Sequence, residues 1–408
     1  MPSPYLGVLS VVMSVSLLQL SNGLFGTFLP VRMAHDGFST PLIGLVVAGH
    51  GVGFLLGCLG APMVISRVGH IRCYASFAAL AAAATLSYTL ATDLLLWLVL
   101  RAFVGFCFAA LFTVGESWLN DRAGSGARGR ILSFYMVCGR LALAGGQLLF
   151  ALGEVGGPAS FMIASAILSL SLVPVALTRS TSPEIAKPRM MGIGALLRLA
   201  PAALVACLAA GLMNTAVINI GPVYATELGL SSAAIATLMA AIQLGGLFFQ
   251  WPLGWMSDKI DRRAVIAAAT GAQALIALSI AAFGASDPVP AAILFFLWGG
   301  LGPSIYAIAI AHANDHAQPH QLVPLSSSLL MCWALGSVFG PSLATAAMAW
   351  LGPAGLFYYN AILAGSLAGF MAWRISRRAP PSAEQRGAFV TVPESSPAVV
   401  ERNPRRSE

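Results

Sequence analysis

The sequence predicts an all-α polytopic membrane protein with 12 transmembrane helices in two pseudo-symmetric six-helix bundles. Three observations lead to this fold class: the composition, the recurrence of long apolar segments and the distribution of basic residues. Of 408 residues, 58% are hydrophobic and 9% charged, with a mean hydropathy of +0.82. Soluble globular proteins average about a quarter charged residues. A soluble core could not cover this much apolar surface, so we expect lipid around the chain.

The apolar segments define the predicted spans, each close to the roughly 20 residues that a helix needs to cross the hydrocarbon layer. Few of them alternate like barrel strands, which favours helices. To within several residues, the spans are 5–30, 41–66, 71–92, 94–119, 130–153, 159–178, 199–222, 233–256, 264–285, 289–313, 322–350 and 355–375. The first has no basic n-region and no small-residue cleavage site, so we expect a retained helix.

The basic residues predict the orientation of the chain. With a cytoplasmic N-terminus, the inner loops and the C-terminal segment hold 19 of the 22 Lys and Arg residues. The outer loops hold only Arg32, and two residues, Arg101 and Arg140, fall within spans. We therefore predict a multi-pass protein of the cell inner (plasma) membrane with both termini cytoplasmic. The net charge of +7 reflects this topology in a lipid bilayer and gives no reason to expect nucleic-acid binding.

A polar, proline-bearing and basic stretch at residues 178–194 separates six spans from six. It predicts an N-terminal six-helix bundle at 1–178, a cytoplasmic linker at 179–198 and a C-terminal six-helix bundle at 199–378. The remainder, 379–408, is rich in proline, serine and charge, which predicts a disordered cytoplasmic tail.

The two halves also match each other in sequence. At an offset of 192 residues Asn22 aligns with Asn214 and Gly53 with Gly245, and at an offset of 194 Asn120-Asp121 aligns with Asn314-Asp315. Two similar six-helix units favour a transporter that rocks around a site near the membrane midplane.

The loop between spans eight and nine reads Gly254-x-x-x-Asp258-Lys259-x-Asp261-Arg262-Arg263. It resembles the Gly-x-x-x-Asp-Arg/Lys-x-Gly-Arg-Arg/Lys motif of the major facilitator superfamily, except that Asp261 replaces the second glycine. The corresponding loop of the first half has Ser66 in place of the motif aspartate. The resemblance covers about residues 5–378 and implies the major facilitator fold.

Spans four and five narrow the resemblance to YcaD-type facilitators, a subgroup of small transporters that implies no particular substrate. The matching residues are Glu116-Ser117-x-Leu119, Arg128-Gly129-Arg130-x-Leu132, Tyr135-Met136 and Gly146-Gln147-Leu148-Leu149. In similar facilitators an acidic residue at the inner end of helix four pairs with loop arginines. The resemblance therefore implies a cytoplasmic gate of Glu116 with Arg67, Arg128 and Arg130, and of Asp258, Lys259, Arg262 and Arg263.

Ionisable residues within spans are candidates for a cavity, because each costs about 2.5–3.5 kcal/mol on insertion scales unless it faces a partner or water. Arg140 belongs to a row with Ser133, Gln147 and Glu154 at seven-residue intervals, which share one helix face. The row predicts either a cavity wall or an interhelical salt bridge. Arg101 either lines the cavity or snorkels to the outer interface.

His50 either carries a proton or packs between helices. The amide side chains of Gln19, Asn22, Asn214 and Gln243 complete the prediction, and they either bind a solute or only link helices. The predicted substrate and coupling cavity comprises Gln19, Asn22, His50, Arg101, Arg140, Gln147, Asn214 and Gln243.

These patterns predict a monomeric secondary active transporter for a small organic solute, driven by protons, since the sequence has no Walker motif. Two buried arginines against one buried acid favour an organic anion or an amphipathic metabolite. The alternatives are a proton-driven drug or metabolite efflux antiporter and, in another class, a non-transporting sensor or a membrane enzyme. We predict no cofactor and no metal. His312, His316 and His320 have four-residue spacing, but Pro319 would interrupt a helix that carried all three, and the cysteines lack the spacing of metal ligands.

Overall fold

The computed structural model describes residues 8–122, 128–177, 190–284, 287–377 and residue 389. Within these residues the secondary structure is helical, with no strand, which confirms the predicted all-α class. The prediction of a disordered tail falls outside the described residues, with the exception of Phe389.

Fourteen α-helices follow one another in the described chain, with single 3₁₀ turns at Phe150–Leu152 and Pro319–Gln321. The first seven are α1 Leu9–His35, α2 Thr40–Val68, α3 His70–Ser87, α4 Leu94–Arg122, α5 Arg128–Leu149, α6 Ala159–Leu170 and α7 Leu172–Ala176. The other seven are α8 Ile193–Leu199, α9 Pro201–Glu227, α10 Ser232–Lys259, α11 Arg262–Phe283, α12 Pro288–Asn314, α13 Leu322–Leu351 and α14 Gly355–Arg377.

Among the described residues, 11 helical segments are long and apolar enough to cross a membrane, by length and composition alone. The predicted span at 71–92 is α3, which is not one of them. Its first turn contains His70 and Arg72, and alanine dominates much of the rest. It also ends at Ser87, before the predicted edge, because the chain turns there and the Thr89 hydroxyl donates to the Leu86 carbonyl.

Proline occurs within two of the predicted spans, with different effects. The span predicted at 159–178 is confirmed by length and composition as Ala159–Ala176, but its helix is interrupted at Ser171, three residues before Pro174. Proline lacks the N–H that would bond the carbonyl four residues earlier, so it weakens a helix at that point. By contrast, α1 continues through Pro30 to His35, beyond its predicted end.

The described chain forms two compact units. Unit 1 comprises Met1–Lys187 with Pro222–Ala240, and unit 2 comprises Pro188–Gly221 with Ala241–Glu408. The helices α9 and α10 therefore each contribute to both units. The predicted linker includes the short helix α8, whose Leu196 is buried in the core of unit 2.

In unit 1, α2 and α4 pack closely through glycine. A Cβ on Gly53 would overlap the carbonyl group of Ala102, and a Cβ on Gly105 would overlap the carbonyl oxygen of His50. Small residues at such positions let two helix backbones approach, which is how membrane helices gain van der Waals contact.

Unit 2 repeats this packing between α10 and α12. A Cβ on Gly245 would overlap the Phe296 carbonyl, and one on Gly299 would overlap the Ile242 carbonyl. These four positions lie 192 or 194 residues after their counterparts in unit 1. The two offsets found in the sequence therefore correspond to a repeated helix contact.

The Gly53→Ala variant is expected to lower the melting temperature of the purified protein, because the new Cβ must push α2 away from α4. Overpacking of this kind costs about 1–3 kcal/mol. Gly26→Ala is the matched control, since a Cβ there meets no atom within 4 Å. Thermal unfolding of both variants in nanodiscs measures the difference, and equal melting temperatures would contradict the packing argument.

Candidate functional site

Arg101 of α4 lies inside unit 1 with 1% of its surface exposed. Its guanidinium carbon is 5.2 Å from the centroid of the Phe25 ring. Phe25 in turn packs edge-on against Tyr88 at 5.2 Å, and Tyr88 stacks on Phe161 at 5.7 Å. The side chain therefore ends against an aromatic cluster in the protein interior and does not extend to the surface of unit 1.

The charge of Arg101 has no described counter-ion. Its Nε and Nη1 atoms have no hydrogen-bond partner among the described residues. None of the ion pairs within the described ranges includes this side chain. An unpaired buried cation is costly in a protein interior. A negatively charged group beside this guanidinium would compensate the charge and supply hydrogen-bond acceptors.

His50 of α2 lies beside this arginine. Its backbone carbonyl packs on Gly105, one helical turn along α4 from Arg101. Its ring is half-buried beside Phe54 and Phe108, with centroids 6.4 and 5.9 Å away, and its Nδ1 has no partner among the described residues. The structure thus brings two predicted cavity residues, His50 and Arg101, together.

A second group of predicted cavity residues lies where α1 meets α5. The Asn22 amide donates to Gln19 Oε1 at 3.3 Å. The Gln19 side chain faces Gly139, the residue before the half-buried Arg140. Gln147 is buried farther along α5. The predicted row of four residues on this helix is wrong at its end, because α5 stops at Leu149 and Glu154 lies in the following loop.

Glu116 is fully buried near the end of α4, and the Tyr135 hydroxyl of α5 donates to its Oε1 at 3.3 Å. Two of its predicted gate partners, Arg67 and Arg130, are exposed and form no ion pair within the described part of the chain. The side chain of the third, Arg128, lies outside the described residues. A described contact therefore connects Glu116 to α5.

In unit 2 the loop after α10 forms a network around Arg262, which is 2% exposed. Its Nε donates to Asp315 Oδ2 at 2.8 Å, and its Nη1 donates to Ser257 Oγ at 2.9 Å. A longer contact of 3.3 Å joins Nη2 to Asp258 Oδ1. The sequence analysis did not identify Asp315 as a partner of Arg262. The match of Asn314-Asp315 with Asn120-Asp121 in the first half was a signal that could have found it.

The neighbouring residues stabilise the start of α11. Asp261 caps this helix by accepting from the Arg263 backbone N–H at 2.9 Å, and its carboxylate pairs with the Arg263 side chain at 2.7 Å. Burial alone would raise the pKa of Asp261, but these hydrogen bonds and the nearby charges hold that pKa below its usual value. Lys259 Nζ lies 3.6 Å from the centroid of the Trp255 ring. The aspartate that replaces the motif glycine therefore acts as a helix cap.

Two buried amides meet at Gly302 near the middle of unit 2. The point where a Cβ of Gly302 would lie is 2.6 Å from Asn214 Oδ1 and 2.7 Å from Gln273 Nε2. Neither side chain has a hydrogen-bond partner among the described residues. Asn214 was predicted, whereas Gln273 of α11 was missed although it is an isolated polar residue within a span. Gln243 of α10, also predicted, is 2% exposed.

The histidines do not assemble a metal centre within the described residues. His316 Nδ1 lies 2.9 Å from the backbone oxygen of His312, and the two rings pack edge to face at 4.8 Å. No group of three or more His, Cys, Asp or Glu side chains with metal-binding geometry occurs in the described ranges.

Comparison with known proteins gives consistent matches. The family model described as "Major Facilitator Superfamily" matches residues 11–321 and 202–404. The protein named "Uncharacterized MFS-type transporter YcaD" of Salmonella enteritidis PT4 (strain P125109) is 27% identical over 345 residues, which is 84% of this chain and 88% of the relative.

Two solved structures share the fold. A bacterial homolog of the human lysosomal transporter Spinster, in an inward-facing and occupied conformation, superposes with a TM-score of 0.75 at 17% identity over 95% of this chain and 99% of that chain. A D-xylose–proton symporter gives a TM-score of 0.68 at 14% identity over 96% of this chain and 99% of that chain. At these identities the likeness concerns the fold alone.

Proposed function

We propose that this chain, which belongs to the major facilitator superfamily, is a secondary active transporter whose substrate is a small organic anion. Membership of a transporter family and the relatives' names support movement of a small molecule across a membrane. The proposal places the protein in the cell inner membrane with both termini cytoplasmic, working by alternating access between its two helical bundles.

The environment of Arg101 is the observation that favours an anion as the substrate. This guanidinium is buried against an aromatic ring and has no described counter-ion. A carboxylate or phosphate group of the substrate would satisfy its donors, and the aromatic cluster would contact an apolar part of the same molecule. An amphipathic organic anion therefore fits this site better than a neutral sugar.

We further propose that protons drive transport. The His50 carbonyl packs on Gly105, one turn along α4 from Arg101. In the empty site, burial and the neighbouring Arg101 charge both oppose a proton on His50. A bound anion would offset this repulsion, which would couple protonation to substrate affinity. The name of the D-xylose–proton symporter that shares the fold is consistent with this coupling.

The remaining predicted residues keep their proposed roles. Arg140, with Gln19, Asn22 and Gln147 around it, would line the cavity in the first bundle. Asn214 and Gln243 would contribute amides in the second. Glu116 and the network of Asp258, Lys259, Arg262 and Arg263 would act in the cytoplasmic gate.

Uptake into proteoliposomes tests this function. The purified protein is supplied with radiolabelled aliphatic and aromatic carboxylates and with their uncharged amides, under an imposed pH gradient. We expect uptake of at least one carboxylate, no uptake of its amide, and loss of accumulation when a protonophore removes the gradient. Arg140→Ala is expected to reduce this flux. Unchanged flux in that variant would remove Arg140 from the cavity, and equal uptake of acid and amide would refute the anion proposal.

A further inference from the structure

The end of α10 in unit 2 has a notch that holds a residue of the C-terminal segment. The ring of Phe389 occupies the space that a Cβ on Gly254 would need, and its Cγ is 2.9 Å from that point. The three atoms nearest to this point all belong to Phe389. The same side chain packs against the hydrophobic core of unit 2. Glycine at position 254 is therefore what makes room for the ring.

A hydrogen bond accompanies the ring contact. The backbone N–H of Phe389 donates to Asp258 Oδ1 at 2.8 Å. Gly254 and Asp258 are four residues apart on one helix, so the ring and the amide bind the same helix face. The Asp258 oxygen that accepts from Phe389 also accepts from Arg262 Nη2 at 3.3 Å. The tail contact thus connects directly to the Arg262 network.

Both partners of this contact are distinctive in the sequence. Phe389 is the only aromatic residue after Trp373 in a segment otherwise rich in proline, serine and charge. At the offset of 192, Gly254 and Asp258 correspond to Pro62 and Ser66 in the first half. The first half therefore lacks both the glycine that admits the ring and the carboxylate that accepts the amide.

We propose that the Gly254–Asp258 notch is a docking site for the protein's own C-terminal segment, with Phe389 as its anchor, and that docking slows the transport cycle. The docked residue adds a contact between the end of α10 and a segment more than 100 residues away. A contact that stabilises one arrangement of a gate slows departure from that arrangement. The kinetic part of this inference rests on the proposed function, whereas the docking itself does not.

Limited trypsin digestion of the full-length protein in detergent tests the docking. Arg386 lies three residues before Phe389, and Arg402 lies far enough beyond to serve as an internal reference. We expect Phe389→Ala to raise cleavage after Arg386, relative to Arg402, by about tenfold, because the packing contact of a partly buried aromatic ring is worth about the corresponding free energy. Val392→Ala, which shortens another apolar tail residue, is the matched control and should leave the ratio unchanged.

Gly254→Ala provides an independent variant, because its new methyl group would displace the ring. It should raise the ratio to the same extent, and the double variant Gly254→Ala/Phe389→Ala should add nothing further. An unchanged ratio in both single variants would overturn the docking proposal.

The kinetic effect is measured separately, as the initial rate of uptake in proteoliposomes for a carboxylate that the wild-type protein transports. Phe389→Ala should raise this rate by a few fold, whereas Val392→Ala should not. A raised cleavage ratio with an unchanged or lower rate would retain the docking site and refute the slowing. If the wild type transports no carboxylate, the proposed function fails, and the proposal that docking slows transport fails with it. The digestion result still decides whether the tail docks.

Discussion

Replacing Arg101 by methionine is expected to abolish transport of the organic anion and, at the same time, to raise the melting temperature of the protein. The two effects have one cause. Arg101 is 1% exposed and has no described carboxylate partner, so the empty protein holds a buried charge without compensation. Methionine has a similar length, fills the space between the aromatic rings and removes the charge.

The magnitude follows from the cost of burying the charge. A central arginine costs about 2.5–3.5 kcal/mol on insertion scales, and this cost disappears in the variant. Loss of the favourable contact of the guanidinium with Phe25, about 1–2 kcal/mol in a desolvated site, offsets part of the gain. We therefore expect a net stabilisation on the order of 1 kcal/mol, together with anion flux at the level of empty liposomes.

Arg32→Met is the matched control for Arg101→Met. Arg32 pairs with Asp36 at 2.7 Å and donates to the carbonyls of Val155, Gly156 and Gly157. The same substitution there removes satisfied hydrogen bonds, so it should lower the melting temperature. Nanodisc thermal unfolding and proteoliposome flux measure both variants. Destabilisation by Arg101→Met would show that the arginine has a structural role, and unchanged flux would remove it from the substrate site.

The helical architecture could be predicted because its determinants are local. Apolar length defines a span whatever surrounds it, and the glycines at positions 53 and 245 mark the repeat without any knowledge of their contacts. The end of α3 at Ser87 and the break at Ser171 could not be predicted in the same way. The end of α3 depends on turn geometry and the break at Ser171 on a nearby proline. The length of an apolar segment contains no information about either.

The sequence could identify individual site residues, but it could not predict which side chains contact one another. An arginine within a span indicates a partner or a ligand, so Arg101 was identified, but its aromatic surroundings come from α1, from α6 and from the turn after α3. For Glu116, the resemblance implied partners in loops but gave no signal for the contact with the Tyr135 hydroxyl of α5. Pairing depends on which faces of two helices meet, and spacing along one helix does not determine that.

The ion pair between Arg262 and Asp315 is expected to give the largest loss of stability on substitution. Both side chains are almost completely buried, and Nε lies 2.8 Å from Oδ2. Asp315→Leu leaves a buried guanidinium that still contacts Ser257 and the partly exposed Asp258. Removing one partner of a buried pair typically costs about 3–5 kcal/mol, and the Ser257 and Asp258 contacts place this variant toward the lower part of that range.

The double variant Arg262→Met/Asp315→Leu separates charge loss from packing loss. With both charges absent, no buried ion is left alone, so most of the lost stability should return. The free energy of unfolding of the wild type, the two single variants and the double variant gives the coupling energy, which should exceed about 2 kcal/mol for a pair in direct contact. Additive losses in the double variant would contradict the ion-pair argument.

Asp258→Ala is the comparison within the same network. Its side chain is 35% exposed and its contact with Arg262 is 3.3 Å, so solvent screens most of this interaction. Exposed pairs contribute about 0–1 kcal/mol, and this variant should therefore unfold close to the wild type. If stability at this loop depends on the buried Asp315 and little on Asp258, then Asp258 can exchange partners during transport without unfolding the end of α11. The buried pair would hold the loop together while the exposed carboxylate, whose Oδ1 accepts from both Arg262 and the amide of Phe389, releases either donor.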